Sequence, residues 1–172
     1  MNIRTPLATA FLLATMIPAF AHGPTPQKVA EKIEIKAEPA KVWSVVKDFG
    51  ALQSWHPDVA KSVVDGQERT VTLKKGGEFK EGLDVADDQQ MELNYRLSGD
   101  AGDALPVSSY SAAIKIAPKD GGSEVTWEGR FYRADTGNEP PEGKDDAAAV
   151  EGMTSFLKNG LEGLKKKLEA GG

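Results

Sequence analysis

Cysteine is absent from the 172 residues. That excludes a disulfide framework and any thiolate metal site, and leaves the hydrophobic core to hold the chain. Histidine occurs twice, as His22 and His56. Positive charge is also short: 21 Lys and Arg stand against 26 Asp and Glu, a formal net charge of −5. No basic stripe with interleaved aromatics runs along the chain, so nucleic acid is excluded as a partner class. Long apolar runs are missing except for one, "PLATAFLLATMIPAF" at residues 6–20. It is shorter than the ~20 residues a bilayer span needs and contains Pro18.

That run has the layout of a secretory leader. Arg4 gives a positive start, and "AFA" at residues 19–21 is a small-x-small cleavage site before His22. Cleavage after Ala21 leaves 151 residues with a formal charge of −6, enough for one domain with one core. An exported chain of this size without cysteine is expected in a bacterial periplasm. The expected organisation is a signal peptide over 1–21, an N-terminal arm over 22–27 and a single domain over 28–172, with no membrane segment in the mature form.

Periodicity supplies the elements. "VAEKIEIKA" alternates as a strand. "EPAKVWSVVKDF" follows with Pro39 placed for a first helical turn and Val42, Val45, Val46 and Phe49 at helical spacing. "ALQSW" reads as a second short helix ending at His56, because the residue before a proline is pushed out of the helical region. Six alternating runs come next, separated by turns such as "DGQE" and "PKDGGS", as in an antiparallel meander. "SGDAGDALPVS" and "ADTGNEPPEGKDD" read as polar surface loops. From about Asp145 to Glu169, Val150, Met153, Leu157, Leu161, Leu164 and Leu168 form the stripe of a long amphipathic helix. Gly152, Gly160 and Gly163 fall along one flank of it. Three mid-helix glycines, each costing about 1 kcal/mol relative to alanine, imply a close approach or open space on that side. The expected architecture is α+β: a curved antiparallel seven-stranded sheet wrapped around the C-terminal helix, two short helices after the first strand, and a cavity between sheet and helix.

The segment "PAKVWSVVKDFGALQSWHPDV" resembles the START-like, polyketide-cyclase (SRPBCC) superfamily. A P-x-x-V-W helix leads to D-F-x-x-x-x-x-W-x-P, carried here by Pro39, Val42, Trp43, Asp48, Phe49, Trp55 and Pro57. The resemblance spans the mature chain and implies a helix-grip fold. That fold hosts carriers, receptors and cyclases, so it leaves the activity open. With the leader and the glycine-bearing "FLKNGLEGLKKKLE" helix, the chain is most similar to the periplasmic MxaD family of bacterial methanol oxidation. That likeness implies a non-catalytic accessory role, with methanol dehydrogenase and its cytochrome c acceptor as partners. The alternatives are a carrier of an apolar small molecule or lipid, and a cyclase- or hydrolase-like enzyme using His56.

The candidate ligand-binding residues follow from strand phase and the helix stripe. Phe79, Leu83 and Val85, then Met91, Leu93, Tyr95 and Leu97, and Val125, Trp127 and Phe131 are expected on the concave face, as is Tyr110 with its even-numbered neighbours. Met153, Phe156 and Leu157 face them from the helix, and Trp55 and His56 stand at the entrance. Glu81 and Arg133 interrupt the apolar phase. Inward they would pair or bind a polar ligand end; the favoured expectation is that each sits at a strand end where that face meets water. No catalytic set is expected, since Ser54 and Asp58 flank His56 too closely to converge as a triad. No metal or other cofactor is expected either: a copper site joining a mature N-terminal His22 to His56 would have too few ligands.

Overall fold

The computed structural model describes residues 23–170; the leader, its cleavage site and His22 lie outside the described residues. Strand β1 (Gln27–Ile35) leads to helix α1 (Pro39–Val46) and a 3-10 helix, η1 (Phe49–Ser54). Strands β2 (Val59–Asp65), β3 (Glu68–Leu73), β4 (Glu78–Asp87), β5 (Glu92–Leu97), β6 (Val107–Lys119) and β7 (Gly122–Arg133) follow, and helix α2 (Asp146–Glu169) closes the chain. The strands form one antiparallel sheet in the order β1-β7-β6-β5-β4-β3-β2. β1 crosses to the far side of the meander and pairs with β7, so α2 packs on β1 and β7. The expected α+β helix-grip architecture is the one observed.

Local chemistry explains the boundaries. Pro39 occupies the first turn of α1, whose Val42, Trp43 and Val46 are buried; eight residues are too few for a stable helix without that burial. The Trp43 indole donates to Asp88 (2.7 Å), tying α1 to the β4–β5 turn. Asp48 caps η1 by accepting from the Gly50 N–H, and Asp145 caps α2 by accepting from the Ala148 N–H at 2.8 Å.

Two expectations are corrected. Val85 was placed on the concave face but is 48% exposed. A bulge between Leu83 and Val85 inserts Asp84 into β4 and reverses the phase after it. The 98–108 segment is not a loop lying in solvent: Ala101, Ala104 and Leu105 are buried within the core. Ala104 lies against the β3–β4 turn, where Gly77 has φ +89° and a Cβ would stand 2.9 Å from the Ala104 Cα.

Candidate functional site

The glycine flank of α2 marks a close approach, not an opening. A Cβ on Gly163 would lie 2.0 Å from the Trp55 carbonyl oxygen, and one on Gly160 would lie 2.4 Å from Trp127 Cζ3 and 2.7 Å from His56 Cδ2. The Trp55-His56-Pro57 turn after η1 is therefore pressed onto the helix. His56 is 1% exposed. Its Nε2 lies 3.0 Å from the Phe156 carbonyl oxygen, and its Nδ1 accepts from the Asp58 N–H at 3.2 Å. A carbonyl can only accept and a backbone N–H can only donate, so the proton sits on Nε2 and the ring is neutral. The imidazole also stacks on the Phe156 ring, with centroids 4.2 Å apart. The Asp58 carboxylate turns away and accepts from Asn159 (2.9 Å). With both nitrogens engaged, neither ring nitrogen is free to take a proton from a substrate.

Burial, the largest influence, pulls the His56 pKa from 6.5 down to about 4, against the opposing pull of Asp58 and the Phe156 carbonyl; Arg69 and Lys74 lower it further. The fold thus stabilises the neutral ring. As pH falls below 6.5 the unfolded chain takes up this proton and the folded chain does not. The contribution is complete above that pH and is lost as pH falls toward about 4, a change of about 3 kcal/mol. Urea titrations of wild type and His56→Gln at pH 7.5 and 4.5 are expected to show a wild-type stability loss larger than the variant's by about 2–3 kcal/mol. Equal losses would remove His56 as the cause.

Between the sheet strands lies a second buried polar group. Arg69 of β3 and Glu81 of β4 are directly opposed in the register and form an ion pair. Tyr110 of β6 donates its hydroxyl proton to the other oxygen of Glu81. Arg69 Nη1 donates to the Phe49 carbonyl at 2.9 Å, and its guanidinium lies over the Phe49 ring, 4.0 Å from the centroid. Burial, the largest influence, would lower the Arg69 pKa, but Glu81 together with Tyr95 and Tyr110 outweighs it, and the guanidinium stays charged. Burial, reinforced by Glu81, raises Tyr110 well above the usual phenol range. Tyr95 is raised by burial and by Glu81 too, and its hydroxyl accepts from the Trp127 indole at 2.9 Å.

Glu81 therefore does not sit where a strand end meets water. It is 0% exposed, well inside β4, and its cost is met by Arg69. Arg133 does end β7, yet it too is buried. Its guanidinium donates to the carbonyls of Asp135 (2.7 Å) and Gly137 (2.7 Å) and to Asp146 (3.0 Å), so it fastens the 134–145 loop to the start of α2. Arg69 was missed by the sequence reading. The signal was its phase: Arg69, Val71 and Leu73 alternate inward on β3.

All twelve candidate lining residues are buried, but most of them fill the space between sheet and helix. Phe156 meets Trp127 and Phe79 edge-on at 5.9 and 6.1 Å, and Trp55 meets Trp127 at 5.7 Å. Met153 reaches Gly129, where a Cβ would be 3.3 Å from its Cε. Open volume lies instead at the mouth of the grip, as a cleft of about 540 Å³. Ala148, Glu151, Gly152 and Ser155 of α2 form one side; Leu73, Lys74, Lys75, Leu105 and Pro106 face them. Phe156 is the one candidate residue that lines this cleft, and its ring also meets Phe79.

No group of three or more potential metal-ligating His, Asp or Glu side chains occurs among the described residues. No helix among them is long and apolar enough to cross a membrane.

Solved structures share this architecture at low identity. An uncharacterised protein from Bacillus thuringiensis is 22% identical with a TM-score of 0.70, over 83% of this chain and 98% of that one. The protein XoxI from Bacillus cereus is likewise 22% identical with a TM-score of 0.70, over 82% and 94%. The Zhui aromatase/cyclase from Streptomyces sp. R1128 is 15% identical with a TM-score of 0.67, over 84% and 94%. At such identities the likeness establishes a shared fold. No protein of curated function matches the sequence. Residues 26–169 match the family model for polyketide cyclase / dehydrase and lipid transport. With this match over most of its length and the helix-grip fold around it, the chain belongs to that family, within the START-like SRPBCC superfamily.

Proposed function

We propose that this protein binds a small, largely apolar molecule and carries it without chemical turnover. The cleft at the mouth of the grip carries the reading. Its apolar lining comes from Leu73, Leu105, Pro106, Ala148 and Phe156, while Lys74, Lys75, Asp58 and Glu151 supply charges of both signs. A concave, mostly apolar site with a few polar groups is the usual form of a small-molecule site. The occupied ring nitrogens of His56 favour binding over acid–base catalysis. The probe 1-anilinonaphthalene-8-sulfonate, an aromatic anion, is expected to bind with one-to-one stoichiometry. Ser155→Trp, an exposed position on the cleft wall, is expected to weaken that binding about tenfold, the equivalent of ~1.4 kcal/mol. Undiminished binding in the variant, or none in the wild type, would remove the cleft as the site.

The exported accessory role in methanol oxidation, beside methanol dehydrogenase and cytochrome c, is the second reading. It is supported by the MxaD-like segments over 32–59 and 156–169 and by the leader-like residues 1–21. Within the first segment Val42, Trp43, Phe49 and Trp55 are buried, so a partner would meet other residues. Copurification of the dehydrogenase with this protein from a methylotroph's periplasm is the expected result. Unchanged dehydrogenase-to-cytochrome electron transfer after deletion of the gene would count against it.

A further inference from the structure

His56 does not line the cleft, yet three of the residues that do are bonded to it or to its turn. Its Nε2–H donates to the Phe156 carbonyl at 3.0 Å, and its Nδ1 accepts from the Asp58 N–H at 3.2 Å. The Asp58 carbonyl accepts from the Lys74 N–H at 2.9 Å, and the Lys74 ammonium donates to the Pro57 carbonyl at 2.5 Å. The Asp58 carboxylate, held by Asn159, ties the turn to α2 a second time. Phe156, Asp58 and Lys74 thus keep their places in the cleft wall through one imidazole and its neighbours.

The neutral ring fits this arrangement and the charged ring does not. A second proton belongs on Nδ1, where it would confront the Asp58 N–H, donor against donor. Turning the ring over brings no relief, since both nitrogens of an imidazolium donate. Nor can the ring withdraw. It stacks on Phe156 with centroids 4.2 Å apart, meets Trp127 edge-on at 6.0 Å, and lies 3.0 Å from where a Gly160 Cβ would stand. Charge around it is mixed: Asp58 favours protonation, while Arg69 of β3 and Lys74 of the β3–β4 turn oppose it. Glu81 of β4 already matches Arg69. From α2 and β7 the ring meets Phe156, Gly160 and Trp127, which carry no charge.

On the reading that the cleft is the binding site, we propose that His56 is its positioning residue: the neutral ring holds the ligand-binding shape, and a proton on Nδ1 releases the ligand in acid. On protonation the Asp58 peptide swings away and the Asp58 carboxylate leaves Asn159 for the new proton, so the cleft wall moves at Asp58 and at the Lys74 bonded to it. Ligand and proton then compete without touching, and by linkage each weakens the binding of the other equally. Affinity is complete at neutral pH, where the free protein holds the ring neutral, and falls as pH drops through about 4. Asp58 and Glu151 also line the cleft. Their own protonation makes it more apolar, which acts in the opposite direction on an uncharged ligand.

N-phenyl-1-naphthylamine, an uncharged fluorescent probe, tests this. Its affinity is expected to fall about fourfold between pH 6.5 and 3.5, with circular dichroism still that of the folded chain. His56→Gln offers an amide donor to the Phe156 carbonyl but takes up no proton. It is expected to bind less tightly at pH 6.5 and to lose the acid fall. Asp58→Asn removes the charge that favours the protonated ring and is expected to move the fall to lower pH. An equal acid fall in His56→Gln, a wild type that binds equally at both pH values, or loss of the probe only together with the dichroism signal overturns this role for His56 and leaves the cleft standing. No binding at pH 6.5 removes the cleft as the site, and this role with it.

Discussion

Glu81→Leu is expected to lower the stability of the fold by about 3–5 kcal/mol, the largest effect of any single side-chain truncation considered for this protein. The substitution removes the partner of a guanidinium that is buried and still charged, and it deprives the Tyr110 hydroxyl of its acceptor. Neither group can reach water from the middle of the sheet. The size of the loss reflects the stranded charge more than any net worth of the pair, because taking two ions out of water costs nearly what their attraction returns. Arg69→Met combined with Glu81→Leu removes both charges and is expected to recover more than half of the loss; the Phe49 carbonyl, which Arg69 also serves, keeps the recovery incomplete. Urea midpoints of the single and double variants decide the matter. A single variant within about 1 kcal/mol of wild type would mean that the pair is not the closed, dry contact described.

Gly163→Ala is the second large effect expected. On helix propensity alone alanine should stabilise α2 by about 1 kcal/mol. The added methyl, however, would lie 2.0 Å from the Trp55 carbonyl oxygen and 2.8 Å from Pro57 Cδ. The obstacle is backbone, held in turn by the His56 bond to Phe156, so it cannot swing aside as a long side chain would. Overpacking of this kind costs about 1–3 kcal/mol or more, and the expected net result is a loss of about 2 kcal/mol. For a chain of this length that is a fall of about 4–8 °C in Tm. A rise in Tm would show that the turn yields, and that the glycine serves something other than close approach.

Much of the fold could be read from pattern. The period-two runs become β1 to β7 within a few residues, because each strand has one buried and one wetted face. The α2 stripe emerged over about Asp145 to Glu169, since the spaced leucines are a local signal. Val85 fails for an equally definite reason. One inserted residue, Asp84, reverses the alternation, and nothing in the alternation itself announces a bulge. The glycines of α2 were legible as an anomaly, but their cause lay in distant segments: Trp55, His56, Pro57 and Trp127 against Gly160 and Gly163, and Pro106 against Gly152.

The candidate site divides along the same line. Local sequence was enough to identify His56, Glu81 and Phe156 as residues needing explanation, since each interrupts or anchors a pattern carried by its neighbours. Their roles depend on what other strands and helices bring to them. Glu81 acquires Arg69 through the β3–β4 register and Tyr110 from a strand beyond its own neighbour. His56 acquires the Phe156 carbonyl across the whole meander. Hydrophobic periodicity is a property of one segment at a time and so survives in the sequence. Pairing of buried charges and complementarity of packed surfaces are properties of two segments, and exist once the chain has closed on itself.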